Sequence, residues 1–230
     1  MTKLNGNGTA PQFECVKRNN IRRLCVYLGS NEGNDPTFRQ AVCEFGAILA
    51  VNGIELVCGG GGRGLMRILV EAVLLHGGYV NAVTPEDLYS TEGKHDGIQN
   101  QIVVKTMGVR KQTMFDLADG FVAFPGGVGT LEELVEQITW KQLGHHRKPI
   151  GIYNHLGFWD PLLILFHGMR RAQTITEQQP IDYVVAHSVR QVIPMMCGEV
   201  ESCGRVYKRP VEDWLINATS TVGDQPQLPL

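Results

Sequence analysis

Short apolar runs that end in glycine-rich turns, each leading into a helical pattern, recur along this chain and constrain its fold more than any other feature. Leu24-Cys-Val-Tyr-Leu28 runs into Gly29-Ser-Asn-Glu-Gly33, after which Pro36 opens a helical pattern reaching Asn52. The unit repeats at once: Ile54 to Cys58 is an apolar run, Gly59-Gly-Gly-Gly-Arg-Gly64 a turn, and Leu65 to His76 a helix. Tyr79 to Thr84 gives a third strand, followed by a polar stretch from Pro85 to Gln101 that reads as an irregular loop. Loops of that length are uncommon in compact domains and often line a site.

Ile102 to Lys105 and Val109 to Ala118 form the next strand and helix, and Gly120-Phe-Val-Ala-Phe124 then points directly at Pro125-Gly126-Gly127. Leu131, Leu134, Val135, Ile138 and Leu143 recur at helical spacing. Pro149 to Tyr153 reads as a sixth strand, and Asp160-Pro161 suits the N-cap and first position of a helix reaching Met169. Ser188 to Met196 fits one more helix.

Strands poor in polar residues that alternate with helices imply a mainly parallel sheet with helices on both faces. The expected fold is a Rossmann-like, doubly wound α/β domain. A chain of 230 residues, 43% hydrophobic, suits one core. The domain is expected over 21–200, with 1–20 as a disordered tail and 201–230 as a partly disordered C-terminal extension.

Lys and Arg number 21 against 23 Asp and Glu, so a net charge of −2 supplies no field that gathers nucleic acid. The polar N-terminal stretch has no signal-peptide core, and no apolar run approaches the roughly 18 residues that span a bilayer. A cytoplasmic protein without membrane contact is expected. The six cysteines read as free thiols: Cys25 and Cys58 fall in apolar strands, Cys43 in a helix, and Cys197 with Cys203 lacks the companions of a zinc site. No metal is expected.

In an open parallel sheet, ligands bind beyond the carboxyl ends of the strands. Glycine lets backbone N–H groups approach a phosphate there, beside the partial positive charge of a helix N-terminus. Gly59 to Gly64, with Gly60 and Gly61 at its centre, is read equally well as a phosphate contact or as a turn needed for close helix packing. It lacks the Gly-Lys-Ser/Thr of a P-loop, and neither Asn81 nor Thr84 suits a ribose-binding acid, which argues against a nicotinamide cofactor. Pro125-Gly-Gly-Val-Gly-Thr-Leu-Glu-Glu133 also admits two readings. Gly126, Gly127, Val128, Gly129, Thr130 and Leu131 could cradle phosphate while a Glu reaches the sugar, or Glu132 and Glu133 could merely stabilise a helix start.

Gly59-Gly-Gly-Gly-Arg-Gly-Leu-Met66, Arg110-Lys111, Pro125 to Glu133, Thr139-Trp140 and Gln142-Leu143-Gly144 occur in an order and at spacings that resemble the LONELY GUY family. The similarity spans about 23–170. It implies a phosphoribohydrolase that cleaves the N-glycosidic bond of cytokinin riboside 5′-monophosphates, AMP or both. It further implies Arg110 and Glu133 as the catalytic pair, and Glu92, Lys111, Gly127 to Thr130, Glu132 and Thr139 as nucleotide contacts. The resemblance also implies a homodimer with its sites near the subunit interface. No cofactor is expected.

A carboxylate near C1′ can offset charge on a cation-like ribosyl centre and take a proton from attacking water, the role expected of Glu133. Arg110, permanently charged, suits positioning and electrostatics. The sequence departs from the family pattern at Gly108 and Val109, where His and Glu are usual, and at Arg67, where glycine is usual. Those departures bear on substrate choice. The alternative reading is a non-catalytic nucleotide or cofactor carrier, against which the retained pair Arg110 and Glu133 argues. A pyridoxal phosphate enzyme lacks a lysine in a recognisable Schiff-base setting. His145-His146 reads as a solvated helix end, and Trp140, Phe158 and Trp159 as core or interface anchors. Tyr27, ending the first strand, lies where nucleotide contact is conceivable.

Overall fold

The computed structural model describes residues 10–60, 62–92 and 97–198. Its strands are β1 (Arg23–Tyr27), β2 (Glu55–Cys58), β3 (Val80–Pro85), β4 (Asn100–Val104), β5 (Gly120–Ala123), β6 (Ile150–Tyr153) and β7 (Val184–Ala186). All pair in parallel, in the order β4-β3-β2-β1-β5-β6-β7. The helices are α1 (Cys15–Arg18), α2 (Pro36–Val51), α3 (Gly64–Leu75), α4 (Glu86–Glu92), α5 (Met107–Leu117), α6 (Val128–Gln142), α7 (Asp160–Arg171) and α8 (Val192–Met196).

Both faces of the sheet are buried, which is why the strands read as unbroken apolar runs. Leu24, Val26, Leu56, Val80, Ala82 and Val122 pack with α2, α3 and α8, while Cys25, Val57, Val83, Phe121 and Ile152 pack with α5, α6 and α7. The expected doubly wound sheet is therefore present.

Local chemistry sets the element boundaries. Asp35 caps α2 by accepting from the Thr37 amide at 2.8 Å, with Pro36 at the first helical position. Thr106 caps α5 by accepting from the Val109 amide at 3.3 Å. α6 starts from Gly127 with no side-chain cap.

Four sequence expectations need correction. The stretch 85–101 is not irregular throughout: Glu86 and Asp87 stand in the first turn of α4, where carboxylates favour a helix. Residues 10–20 fall within the expected tail, yet Phe13, Cys15 and Val16 are buried in the core. The rest of that tail (1–9) and the extension 201–230 lie outside the described residues. β7 escaped the sequence reading because three residues are too few for a periodic signal, and pairing with β6 makes the strand. Asp160 is the first residue of α7 rather than its cap, and its carboxylate accepts from Asn154 at 2.7 Å.

His146 is also not a solvated helix end. Its ring packs edge-on to Phe115 and Phe121, Nε2 lies 3.1 Å from the Gln137 carbonyl, and burial pushes its pKa down. His145 remains exposed.

Candidate active site

The strand order reverses between β1 and β5, which makes the carboxyl edge of these two strands the topological switch point where open parallel sheets bind ligands in a crevice. The Gly29 amide donates to the Pro125 carbonyl at 3.2 Å. A Cβ on Gly126 would stand 2.2 Å from Thr130 Oγ1 and 2.9 Å from the Gly29 nitrogen, and one on Gly64 only 2.4 Å from the Ser30 carbonyl oxygen. These two glycines let the three glycine-rich loops close on one another.

Gly127 and Gly129 differ. Among the described residues a Cβ on either would meet no atom within 4 Å, and neither has a left-handed φ. Nothing in the protein fold demands glycine there, whereas an anion approaching the uncapped start of α6 would.

Arg110 lies in the first turn of α5, where the helix dipole disfavours a cation. Its guanidinium lies against the Gly59 backbone so closely that a Cβ on Gly59 would fall 1.5 Å from Nη2. Nη1 reaches the Met107 sulfur at 3.2 Å, and the buried Nε has no hydrogen-bond partner among the described residues. Gly59 thus serves as a slot for Arg110, a role the sequence concealed within a run of glycines. Gly60, expected as a phosphate contact, has its own packing reason: φ is +103° and Thr84 Oγ1 would lie 2.2 Å from its Cβ. Gly61 lies outside the described residues.

Glu133, half-buried on α6, has its pKa pushed up by burial to about 7; Arg110 and Lys111 oppose the shift, while Glu132 and Glu136 add to it. Arg110 and Glu133 feel one another without forming a direct ion pair. A carboxyl that titrates near neutrality suits a general base.

The fold favours protonated Glu133, so this contribution is full below the ordinary value near 4.5 and is lost as pH rises through about 7. Thermal unfolding of Glu133→Gln is therefore expected to show a flatter Tm profile between those pH values than the parent protein. Parallel profiles would mean that the buried carboxyl carries no such linkage.

Lys111, expected to contact nucleotide, is engaged by two carboxylates of α6. Its Nζ donates to Glu132 and, at 2.9 Å, to Glu136, a residue outside the expected site. The clue was available, since Glu136 follows Glu132 by four positions on one helix. Thr139 Oγ1 donates to the Val135 carbonyl at 2.8 Å and remains exposed. Glu92 ends α4, but its side chain lies outside the described residues. Of the departures, Val109 is 47% exposed, Gly108 has only Thr106 Oγ1 near its missing Cβ, and Arg67 pairs with Glu71 at 2.7 Å.

A family model described as "Possible lysine decarboxylase" matches residues 66–196. Over 160 residues the chain is 44% identical to the "Probable cytokinin riboside 5'-monophosphate phosphoribohydrolase LOGL1" of Oryza sativa subsp. japonica, spanning 70% of this chain and 72% of that one. The chain belongs to the LONELY GUY family. It is also 44% identical to the cytokinin riboside 5'-monophosphate phosphoribohydrolase LOG2 of Arabidopsis thaliana, over 64% of this chain and 68% of the relative.

Solved structures extend the likeness of fold alone. A molybdenum cofactor binding protein from Rippkaea orientalis superposes with a TM-score of 0.57 at 19% identity, covering 77% of this chain and 96% of that one. The molybdenum cofactor carrier protein of Chlamydomonas reinhardtii gives 0.57 at 17% identity, covering 78% and 98%. Within the LONELY GUY match lie Arg110, Lys111, the Pro125 to Glu133 segment and Glu136, so the crevice and the family signature coincide.

Proposed function

We propose that this LONELY GUY protein hydrolyses the N-glycosidic bond of a nucleoside 5′-monophosphate, a cytokinin riboside 5′-monophosphate or AMP, to free base and ribose 5-phosphate. The observation that carries the reading is that Glu133, a half-buried carboxyl titrating near 7, lies within the field of an Arg110 guanidinium held in the Gly59 slot. The relatives' names agree with it.

Each residue has work in that reaction. The amides at the start of α6, with Gly127 and Gly129 leaving the backbone open, receive the 5′-phosphate. Arg110, with Nε unpartnered, supplies positive charge to the phosphate or to the departing base. Ionised Glu133 offsets charge developing at C1′ and takes one proton of the attacking water, whose oxygen bonds to C1′ as the C1′–N bond breaks with its electron pair going to the base nitrogen. The base then gains a proton from solvent, and Glu133 returns its own to solvent, which restores the ionised carboxylate. Base release should accordingly rise with pH through about 7 as Glu133 ionises.

Lys111 is occupied by two carboxylates, a setting unsuited to Schiff-base chemistry. A homodimer belongs to the same proposal: Met107 and Val109 on α5, with Val128 and Leu131 on α6, expose apolar surface at the helix starts beside the crevice. A cytoplasmic location is supported by the free thiols of Cys25, Cys43 and Cys58. Among the described residues, no helix is long and apolar enough to cross a membrane.

The test incubates purified protein with AMP and with isopentenyladenosine 5′-monophosphate, following free base and ribose 5-phosphate by chromatography. Equimolar base and ribose 5-phosphate from either nucleotide is the expected result. Tight nucleotide binding without products would replace the hydrolase with a carrier.

A further inference from the structure

Three carboxylates, Glu132, Glu133 and Glu136, share the first turns of α6, facing two cations from α5, Arg110 and Lys111. How the cations are divided decides the field at Glu133. Lys111 Nζ donates to Glu136 Oε1 at 2.9 Å and to Glu132 Oε1. The two arms are unequal: the Lys111 and Glu136 side chains are 19% and 22% exposed, while Glu132 is 53% exposed and its arm is open to solvent. Glu136 Oε2 is buried with no hydrogen-bond partner among the described residues. Its carboxylate therefore depends on Lys111.

We propose that Glu136 is a positioning residue that anchors Lys111 in the seam between α5 and α6, keeping this ammonium paired away from Glu133 and leaving Arg110 as the principal cation facing it. The inference rests on the phosphoribohydrolase reading for its consequence in catalysis, but its electrostatic content stands apart from turnover.

The groups that face Glu133 define the expected signs. Arg110 and Lys111 favour its ionised form, Glu132 and Glu136 disfavour it, and Cys25 and Tyr27 of β1 sense its charge from below as a neutral thiol and phenol. Removing the Glu136 charge takes away one repulsion and also frees Lys111 to turn toward Glu133. Both changes lower the proton affinity of Glu133. Removing Lys111 does the reverse, since an attraction is lost and two carboxylates lose their partner.

The experiment follows the Glu133 side-chain carboxyl by carbon NMR in the intact, ligand-free protein, with the resonance assigned by its disappearance in Glu133→Gln. Glu136→Gln is expected to move the titration midpoint down by about half a pH unit or more, and Lys111→Met to move it up. The rising limb of kcat/KM should follow the same displacements. An unchanged or raised midpoint in Glu136→Gln overturns the proposal, because a mere strut would alter stability or kcat without moving the titration. Should Glu136→Gln fail to fold, Lys111→Met still decides, and absence of an upward shift overturns the proposal. Lack of base release by the parent protein on any nucleotide would sink the enzymatic reading while leaving these midpoints to judge Glu136.

Discussion

Glu133→Gln is expected to lower base release by roughly 10²–10⁴-fold, the range typical for loss of a general base, while nucleotide affinity changes little. The amide matches the carboxyl in shape and can occupy the same half-buried position on α6, but it can neither accept the proton of water nor carry negative charge toward C1′. The loss should appear in kcat more than in KM, because the interaction matters chiefly in the transition state. Calorimetric titration with AMP separates binding from chemistry. Turnover within a fewfold of the parent would remove Glu133 from the reaction, and loss of AMP binding in equal measure would make it a binding group instead.

Gly59→Ala is expected to cost on the order of 10²-fold in kcat/KM, a large effect for one methyl group. The added Cβ would fall 1.5 Å from Arg110 Nη2, and the guanidinium must leave its slot. Gly59 has no left-handed φ, so backbone strain is not the reason. A double-mutant cycle identifies the cause. In an Arg110→Ala background the same substitution should be nearly silent, since the group it displaces is gone. An equal loss in both backgrounds would mean that Gly59 acts on the loop or on the ligand rather than through Arg110.

These expectations draw on two sources. Apart from α4, the order of strands and helices was legible from residues 24 to 169, because the central strands are buried on both faces and α2, α3, α6 and α7 carry apolar stripes, patterns that period alone reveals. The sequence also located Pro125 to Glu133 at the end of β5 and left phosphate cradle and helix cap as equal readings. The uncapped start of α6 and the open space at Gly127 and Gly129 favour the cradle, and burial of Glu133 favours chemistry.

Local pattern thus specified the alternating α/β fold and the carboxyl-edge loops, since these depend on periodicity and on residue types close together in the chain, while the candidate pair Arg110 and Glu133 came from the family resemblance. Packing alone could assign Gly59 to Arg110, pair Lys111 with Glu132 and Glu136, and bury His146 against Phe115 and Phe121. Those relations join residues distant in sequence, 51 positions apart for Gly59 and Arg110 (110 less 59). The raised pKa of Glu133 has the same origin, because desolvation is created by everything that packs around a carboxyl and is written in no single segment.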